Sequence, residues 1–239
     1  LRLTYNTQPA ILTCSVAAMK VLEENEIIPS VVAGHSLGEY SALVCAGAMS
    51  FADAVRTVRK RGQFMQEAVP VGEGAMAAII GLDTDKIKEI CAETANMTNQ
   101  CVQAVNFNCP GQIVIAGATE AVHKACDRLK EAGAKRAILL PVSAPFHSTL
   151  MQPAADRLKE VLDSVEIVDA KIPVVANVNA KPETKADEIR SQLVLQAASP
   201  VLWEDSVRRM MNDGVDTFVE VGPGKVLCGF IKKVDRSYA

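Results

Sequence analysis

Histidine and large aromatic side chains are scarce in this sequence. Three histidines, one tryptophan, three tyrosines and six phenylalanines are spread over 239 residues. The core must therefore be built mainly from Ala, Val, Ile and Leu, and any imidazole base is one of three. A basic excess is missing too: 25 Lys and Arg stand against 28 Asp and Glu, a formal net charge of -3. Nucleic-acid binders ordinarily carry surplus positive charge, so no nucleic-acid partner is expected. No apolar run suits a membrane span. The longest charge-free stretch, Ala137 to Ala155, contains Pro141, Pro145, Pro153, His147 and Gln152, which break a spanning helix. At the start, Arg2 is the one basic residue, and the apolar run Ala10 to Met19 continues into Lys20 and Glu23. That pattern reads as an amphipathic helix rather than a signal peptide. Seven cysteines are an odd number, and no two stand at C-x-x-C spacing. Neither a disulfide framework nor a metal site is expected, and the expected compartment is reducing, hence cytoplasmic.

What is present points to a globular α/β chain. Hydrophobic residues make up 49% and charged residues 22%, enough to bury a sizeable core. The length fits one domain, or one domain with a smaller insert. Strands are expected at 31–33, 75–81, 101–107, 112–116, 136–142, 172–178 and 217–221. Helices are expected near 8–25, 37–46, 51–68, 84–95, 120–132, 149–162, 186–196, 203–212 and 225–233. Such alternation implies a mostly parallel sheet. From Ala75 to Val142 the order is instead β-α-β-β-α-β, with Asn108-Cys109-Pro110-Gly111 as a tight central turn. That is the ferredoxin-like pattern. It predicts a subdomain at 74–142 inserted into a body formed by 1–73 and 143–239.

The strongest motif is Gly34-His35-Ser36-Leu37-Gly38, after an apolar run and before a helix. Gly-x-Ser-x-Gly in that setting is a nucleophile elbow: the serine oxygen protrudes from a sharp turn and the glycines let backbones approach. The backbone N–H of Leu37, at the helix start, can then receive an oxyanion. An incidental turn is the plain alternative. Ser36 needs a base. His35 adjoins it and should turn its ring away, as a structural residue. His123 falls on the helix near 120–132 and should face solvent. His147, on the loop Pro145-Phe146-His147-Ser148 after a strand, is left as the base. No acid stands out between Ser36 and His147, so a dyad oriented by a backbone carbonyl is an alternative to a triad. In Arg56-Thr57-Val58-Arg59-Lys60-Arg61-Gly62, a solvated face suffices for Arg56, Arg59 and Lys60. Arg61, beside Gly62, either shares that face or turns inward to fork onto a carboxylate. Val221-Gly222-Pro223-Gly224-Lys225 is too short for a phosphate loop and reads as a strand-to-helix turn. The loop Asn106 to Gln112 offers side-chain amides, or is a plain hairpin.

Taken in order, Gln8-Pro9-Ala10-Ile11, Gly34 to Tyr40, Arg61-Gly62-Gln63-Phe64-Met65-Gln66, Asn106 to Gln112, Pro145 to Ser148 and Glu220 to Lys225 resemble the malonyl-CoA:acyl carrier protein transacylases. The resemblance covers nearly the whole chain. It implies an α/β-hydrolase-like body with a ferredoxin-like insert. It implies that Ser36 attacks a malonyl thioester, that His147 takes its proton, and that coenzyme A leaves before the phosphopantetheine thiol of acyl carrier protein accepts the malonyl group. Arg61 would hold the malonyl carboxylate, with Asn106 and His35 also at the substrate site. A backbone carbonyl near Gln196 would orient His147. Phe146 before His147 is the pattern associated with malonyl rather than methylmalonyl units. No cofactor or metal is implied, and a monomer is expected.

The family opens with an apolar strand ending in Gly-Gln-Gly-Ser-Gln, whose first glutamine gives a second oxyanion N–H; this sequence opens at Leu1 without it. The expectation is an incomplete oxyanion hole and either a gap beside the strand bearing Ser36 or another peptide filling it. Alternatives are a serine hydrolase, an acyltransferase module of a polyketide synthase, and a non-catalytic scaffold.

Overall fold

The computed structural model describes residues 3–142 and 144–238; the start at Leu1 and the expected boundary at Ser143 lie outside them. The chain opens with α1 (Thr4–Glu24), β1 (Val32–Ala33), α2 (Gly38–Cys45) and α3 (Phe51–Ala68). The insert follows as β2 (Gly74–Ile80), α4 (Thr84–Thr98), β3 (Val102–Cys109), β4 (Gln112–Ala118), α5 (Thr119–Glu131) and β5 (Arg136–Leu139). The remainder is a short 3-10 turn (Thr149–Met151), α6 (Gln152–Asp163), β6 (Val174–Val175), β7 (Pro182–Glu183), α7 (Ala186–Gln196), α8 (Trp203–Asn212) and α9 (Val226–Val234).

The body packs helices on a small sheet of order β1-β6-β7, in which β1 and β6 run parallel and β7 antiparallel. Among the described residues, parallel pairing joins Val32–Ala33 to Val174–Val175, with one further parallel bridge between Asn106 and Val201. Of the run at 172–178, only Val174 and Val175 pair with neighbouring strands. The expected strand at 217–221 does not form a ladder. Glu220 there caps α9, accepting from the Leu227 and Cys228 N–H groups at 3.2 and 2.8 Å. An apolar run becomes a strand only where a neighbouring backbone pairs with it. β1 is an edge: β6 lies on one side, and on the other no described residue pairs with it.

The insert is a four-stranded antiparallel sheet of order β3-β4-β2-β5. Alternation splits its residues between two faces. Ala77, Ile79, Ile113 and Ile115 pack under α4 and α5, with Ile87, Val122 and Leu129. Met76, Ala78, Val105, Val114 and Ala116 face Leu140 and Phe146, beside the His147 loop. β3 bulges near Asn106, where Val105 and Phe107 exchange backbone hydrogen bonds with Val201 of the body.

Helices α1 and α3 are keyed together by three features. Pro9 cannot donate to the Tyr5 carbonyl one turn earlier. The Arg59 guanidinium takes that carbonyl instead at 2.9 Å, bonds Asn6 Oδ1, and lies over the Tyr5 ring. Arg59 is thus half-buried rather than part of a solvated face, unlike the exposed Arg56 and Lys60. Gly62 allows the contact, since a Cβ there would sit 2.5 Å from Tyr5 Cα.

Candidate active site

Ser36 stands between β1 and α2 with φ at +52°, a left-handed conformation that non-glycine residues seldom adopt. Such strain costs about 1–3 kcal/mol and persists only where neighbours hold it. Here two glycines and an asparagine do so. A Cβ on Gly34 would fall 1.9 Å from the Gly38 carbonyl carbon, so the turn closes only with glycine. Asn177 reaches across from the end of β6. Its Oδ1 accepts from the Ser36 N–H at 2.6 Å, and its Nδ2 donates to the Gly34 carbonyl at 2.7 Å. Beyond the serine, the Gly38, Glu39 and Tyr40 N–H groups bond the carbonyls of His35, Ser36 and Leu37. The Leu37 N–H lies outside that ladder at the mouth of α2, where the helix dipole favours negative charge.

His147 arrives from the loop behind the insert. Gly74 makes room for this loop: a Cβ there would meet Pro145 Cδ at 2.3 Å. His147 itself has φ at +63° and is 3% exposed. Its Nε2 is 2.7 Å from Ser36 Oγ, and its Nδ1 is 2.9 Å from the Gln196 carbonyl oxygen. A carbonyl only accepts, so Nδ1 carries the proton and Nε2 is left free to accept from the serine hydroxyl. Burial, reinforced by the charge of Arg61, holds the imidazole pKa down to about 3, so the ring is neutral and its Nε2 lone pair is unprotonated.

Arg61 turns inward and is 2% exposed. One terminal nitrogen donates to Gln8 Oε1 at 2.7 Å; the other donates to Ser36 Oγ at 3.1 Å and Gln196 Oε1 at 3.0 Å. Burial lowers its pKa, partly offset by Tyr40 and Glu39. This cation thus rests against the nucleophile, with neutral amides supplying most of its hydrogen bonds.

His35 turns away from Ser36 Oγ. Its Nε2 lies 2.8 Å from Asn108 Oδ1 of the insert, its ring leans on Trp203, and burial lowers its pKa. It ties body to insert. Asn106 makes no hydrogen bond to Ser36, His147 or Arg61. Its backbone bridges Val201, and its buried Oδ1 has no partner among the described residues. Asn108, two residues on, is the loop asparagine that touches the elbow, through His35. His123 is exposed on α5.

Sequence reasoning missed Gln8, Asn177, Glu39 and the side chain of Gln196. Only Gln8 and Glu39 fall within motifs already singled out. All seven cysteines are free, and among the described residues no group of three or more His, Cys, Asp or Glu could hold a metal ion. No helix among them is long and apolar enough to cross a membrane.

The acyl transferase domain family matches residues 1–237. The malonyl CoA-acyl carrier protein transacylase of Bacillus subtilis (strain 168) is 56% identical over 236 residues, covering 99% of this chain and 74% of that protein. Among solved structures, the acyl-carrier-protein S-malonyltransferase of Burkholderia pseudomallei 1710b superposes with a TM-score of 0.97 at 50% identity, covering 100% of this chain and 78% of that one. A malonyl-transacylase in complex with its type II PKS acyl-carrier protein superposes with a TM-score of 0.96 at 51% identity, covering 99% of this chain and 76% of that one.

Proposed function

The chain belongs to the acyl transferase domain family, and from that premise we propose that it transfers a malonyl group from malonyl-CoA to the phosphopantetheine thiol of acyl carrier protein, in fatty acid synthesis. The observation that carries the malonyl reading is the buried Arg61 guanidinium 3.1 Å from Ser36 Oγ. In a malonyl thioester the free carboxylate lies one methylene from the carbonyl under attack. A cation beside the nucleophile therefore meets the carboxylate when the carbonyl reaches Ser36. An acyl group without that carboxylate leaves the cation with no anion to bind.

The steps follow from the dyad. The Ser36 hydroxyl gives its proton to His147 Nε2 as Oγ attacks the thioester carbonyl. The resulting oxyanion meets the Leu37 N–H. As the C–S bond breaks, His147 returns the proton to sulfur, coenzyme A departs, and a malonyl-serine ester remains. The carrier's thiol next gives its proton to His147 and attacks the ester. Oxygen leaves as Ser36 recovers that proton, and the malonyl thioester is released. Coenzyme A and carrier protein are the two thiol partners; no metal or redox group enters. The named relatives, one of them solved with its carrier protein, support this reading.

Intact mass spectrometry tests it. Brief incubation with malonyl-CoA should add one malonyl mass at Ser36, and holo carrier protein should remove it as malonyl-carrier. Release of free malonate at the rate of coenzyme A release would favour a hydrolase instead.

A further inference from the structure

We propose that Glu39 is a positioning residue for acyl transfer, one carboxylate oxygen of which sets the nucleophile turn and the Gln196 carboxamide in register with each other.

Glu39 lies in the first turn of α2, three residues after the nucleophile, and is fully buried. Its Oε2 accepts two hydrogen bonds, each 2.9 Å: one from the Asn177 backbone N–H, the other from Gln196 Nε2. Each donor leads to the reacting groups. Asn177 clamps both sides of the elbow, at the Ser36 N–H and the Gly34 carbonyl. The Gln196 carboxamide also donates to the Ser36 carbonyl at 2.9 Å and accepts from Arg61 at 3.0 Å, while its backbone carbonyl holds His147. A single oxygen thus joins the loop that strains the serine, the residue that orients the base, and the cation beside the nucleophile. These groups come from four separate stretches of chain, and Glu39 is the point at which two of them meet.

A carboxylate fully removed from water is costly unless it is bonded. This one keeps its place although its other oxygen, Oε1, has no partner among the described residues. A hydrophobic residue would fill the same space at lower cost, so the burial calls for a role that needs the acceptor. Burial also raises its pKa to about 7, opposed by the Gln196 and Asn177 bonds and by Arg61.

The idle Oε1 makes the role testable. In Glu39→Gln the amide oxygen can occupy the Oε2 position and accept both bonds, while its NH2 replaces the unpartnered oxygen. Glu39→Asp keeps the charge but withdraws the acceptor by one methylene. Gln196→Met removes the carboxamide from the other end of the bond and keeps the backbone carbonyl. The inference rests on the acyl-transfer reading, so the readout is labelling of Ser36 by a fluorophosphonate probe, which needs no malonyl group. Melting temperatures and circular dichroism accompany it. Glu39→Asp and Gln196→Met should slow labelling by on the order of tenfold to a hundredfold, the scale of a misplaced reacting group. Glu39→Gln should stay close to the parental rate. With malonyl-CoA, Glu39→Asp should lower the acylation rate constant far more than it raises the half-saturating concentration. A parental labelling rate in Glu39→Asp or in Gln196→Met overturns the proposal. So does a Glu39→Gln protein slowed as much as Glu39→Asp, since loss of charge or of stability would then explain both. If parental protein labels with the probe but never takes up malonyl, the malonyl reading fails while this inference is still decided by the variants.

Discussion

The Nδ1–H of His147 ends on the backbone carbonyl of Gln196, 2.9 Å away, at the last residue of α7. Helix ends leave carbonyls without intrahelical partners, and this one is spent on the base. A carboxylate in that place would stabilise the charged imidazolium; a neutral acceptor orients the ring without that pull. Burial, and next the charge of Arg61, hold the ring's pKa down to about 3 from 6.5, although the Gln196 bond itself raises it. The neutral form is the active one, so acid inactivates only where the folded ring takes a proton. Fluorophosphonate labelling of Ser36 should hold its rate well below pH 6.5. A midpoint near 6.5 would show that His147 titrates freely in water.

Replacing either member of the dyad should be severe. Ser36→Ala should form no acyl-enzyme, and His147→Ala should lose on the order of a thousandfold or more in acylation rate, because nucleophile and base act as a unit. The check is burst-phase release of coenzyme A. Retained activity in His147→Ala, with loss in His123→Ala, would move the base to the insert's helix.

Arg61→Ala should change selectivity rather than simply lower activity. Removing one partner of a buried charge pair costs roughly 2–5 kcal/mol, a term present only for the malonyl donor. Malonyl transfer should therefore fall steeply while acetyl transfer stays level or rises. Comparing kcat/KM for the two donors decides it: equal losses would make Arg61 a structural residue.

Stability should bear the mark of Glu183. Buried in β7, with Oε1 unpartnered among the described residues, this carboxyl has its pKa raised to about 8, chiefly by burial and next by Glu39. Its ordinary value is 4.5. Between those values the folded state holds a proton that the unfolded state has lost, so stability falls as pH rises through the window. Glu183→Gln removes that slope. Its melting temperature relative to parental protein should be unchanged in trend below about pH 4.5 and should climb toward pH 8. A relative gain of at least roughly 2–4 °C corresponds to about 1 kcal/mol in a chain of this size. A difference that stays flat with pH would show that Glu183 is solvated.

The nucleophile and the base were legible because their residue types are rare or their motifs local, whereas the inward turn of Arg61 was one of two open readings until the family resemblance pointed to it. Ser36 sits in a five-residue turn signature, and elimination among three histidines leaves His147. The rest of the site consists of Gln8, Asn177 and the Gln196 side chain, common residue types brought to Ser36 from distant stretches. Nothing in their immediate neighbours distinguishes them from surface amides. Glu39 was nearer to hand, the one charged residue of α2, three positions after Ser36. Its meaning came only with its burial. The insert was readable because its strands are apolar runs set between helical stretches and its turn carries Pro-Gly chemistry. In the body, β1 and β6 fall within the expected runs 31–33 and 172–178, whereas the two-residue β7 was not expected and the run 217–221 found no pairing partner.

Arg59 and Arg61 stand two residues apart on α3, and each grips α1, one at Tyr5 and the other at Gln8, with bare Gly62 between them. The depth at which the Arg61 cation sits is therefore set by a lock between two helices, part of which, Arg59 on Tyr5 and the bare Gly62, lies outside the reaction centre. Enlarging residue 62 would consequently unseat the Arg61 cation by parting α1 from α3, without placing a single new atom beside Ser36.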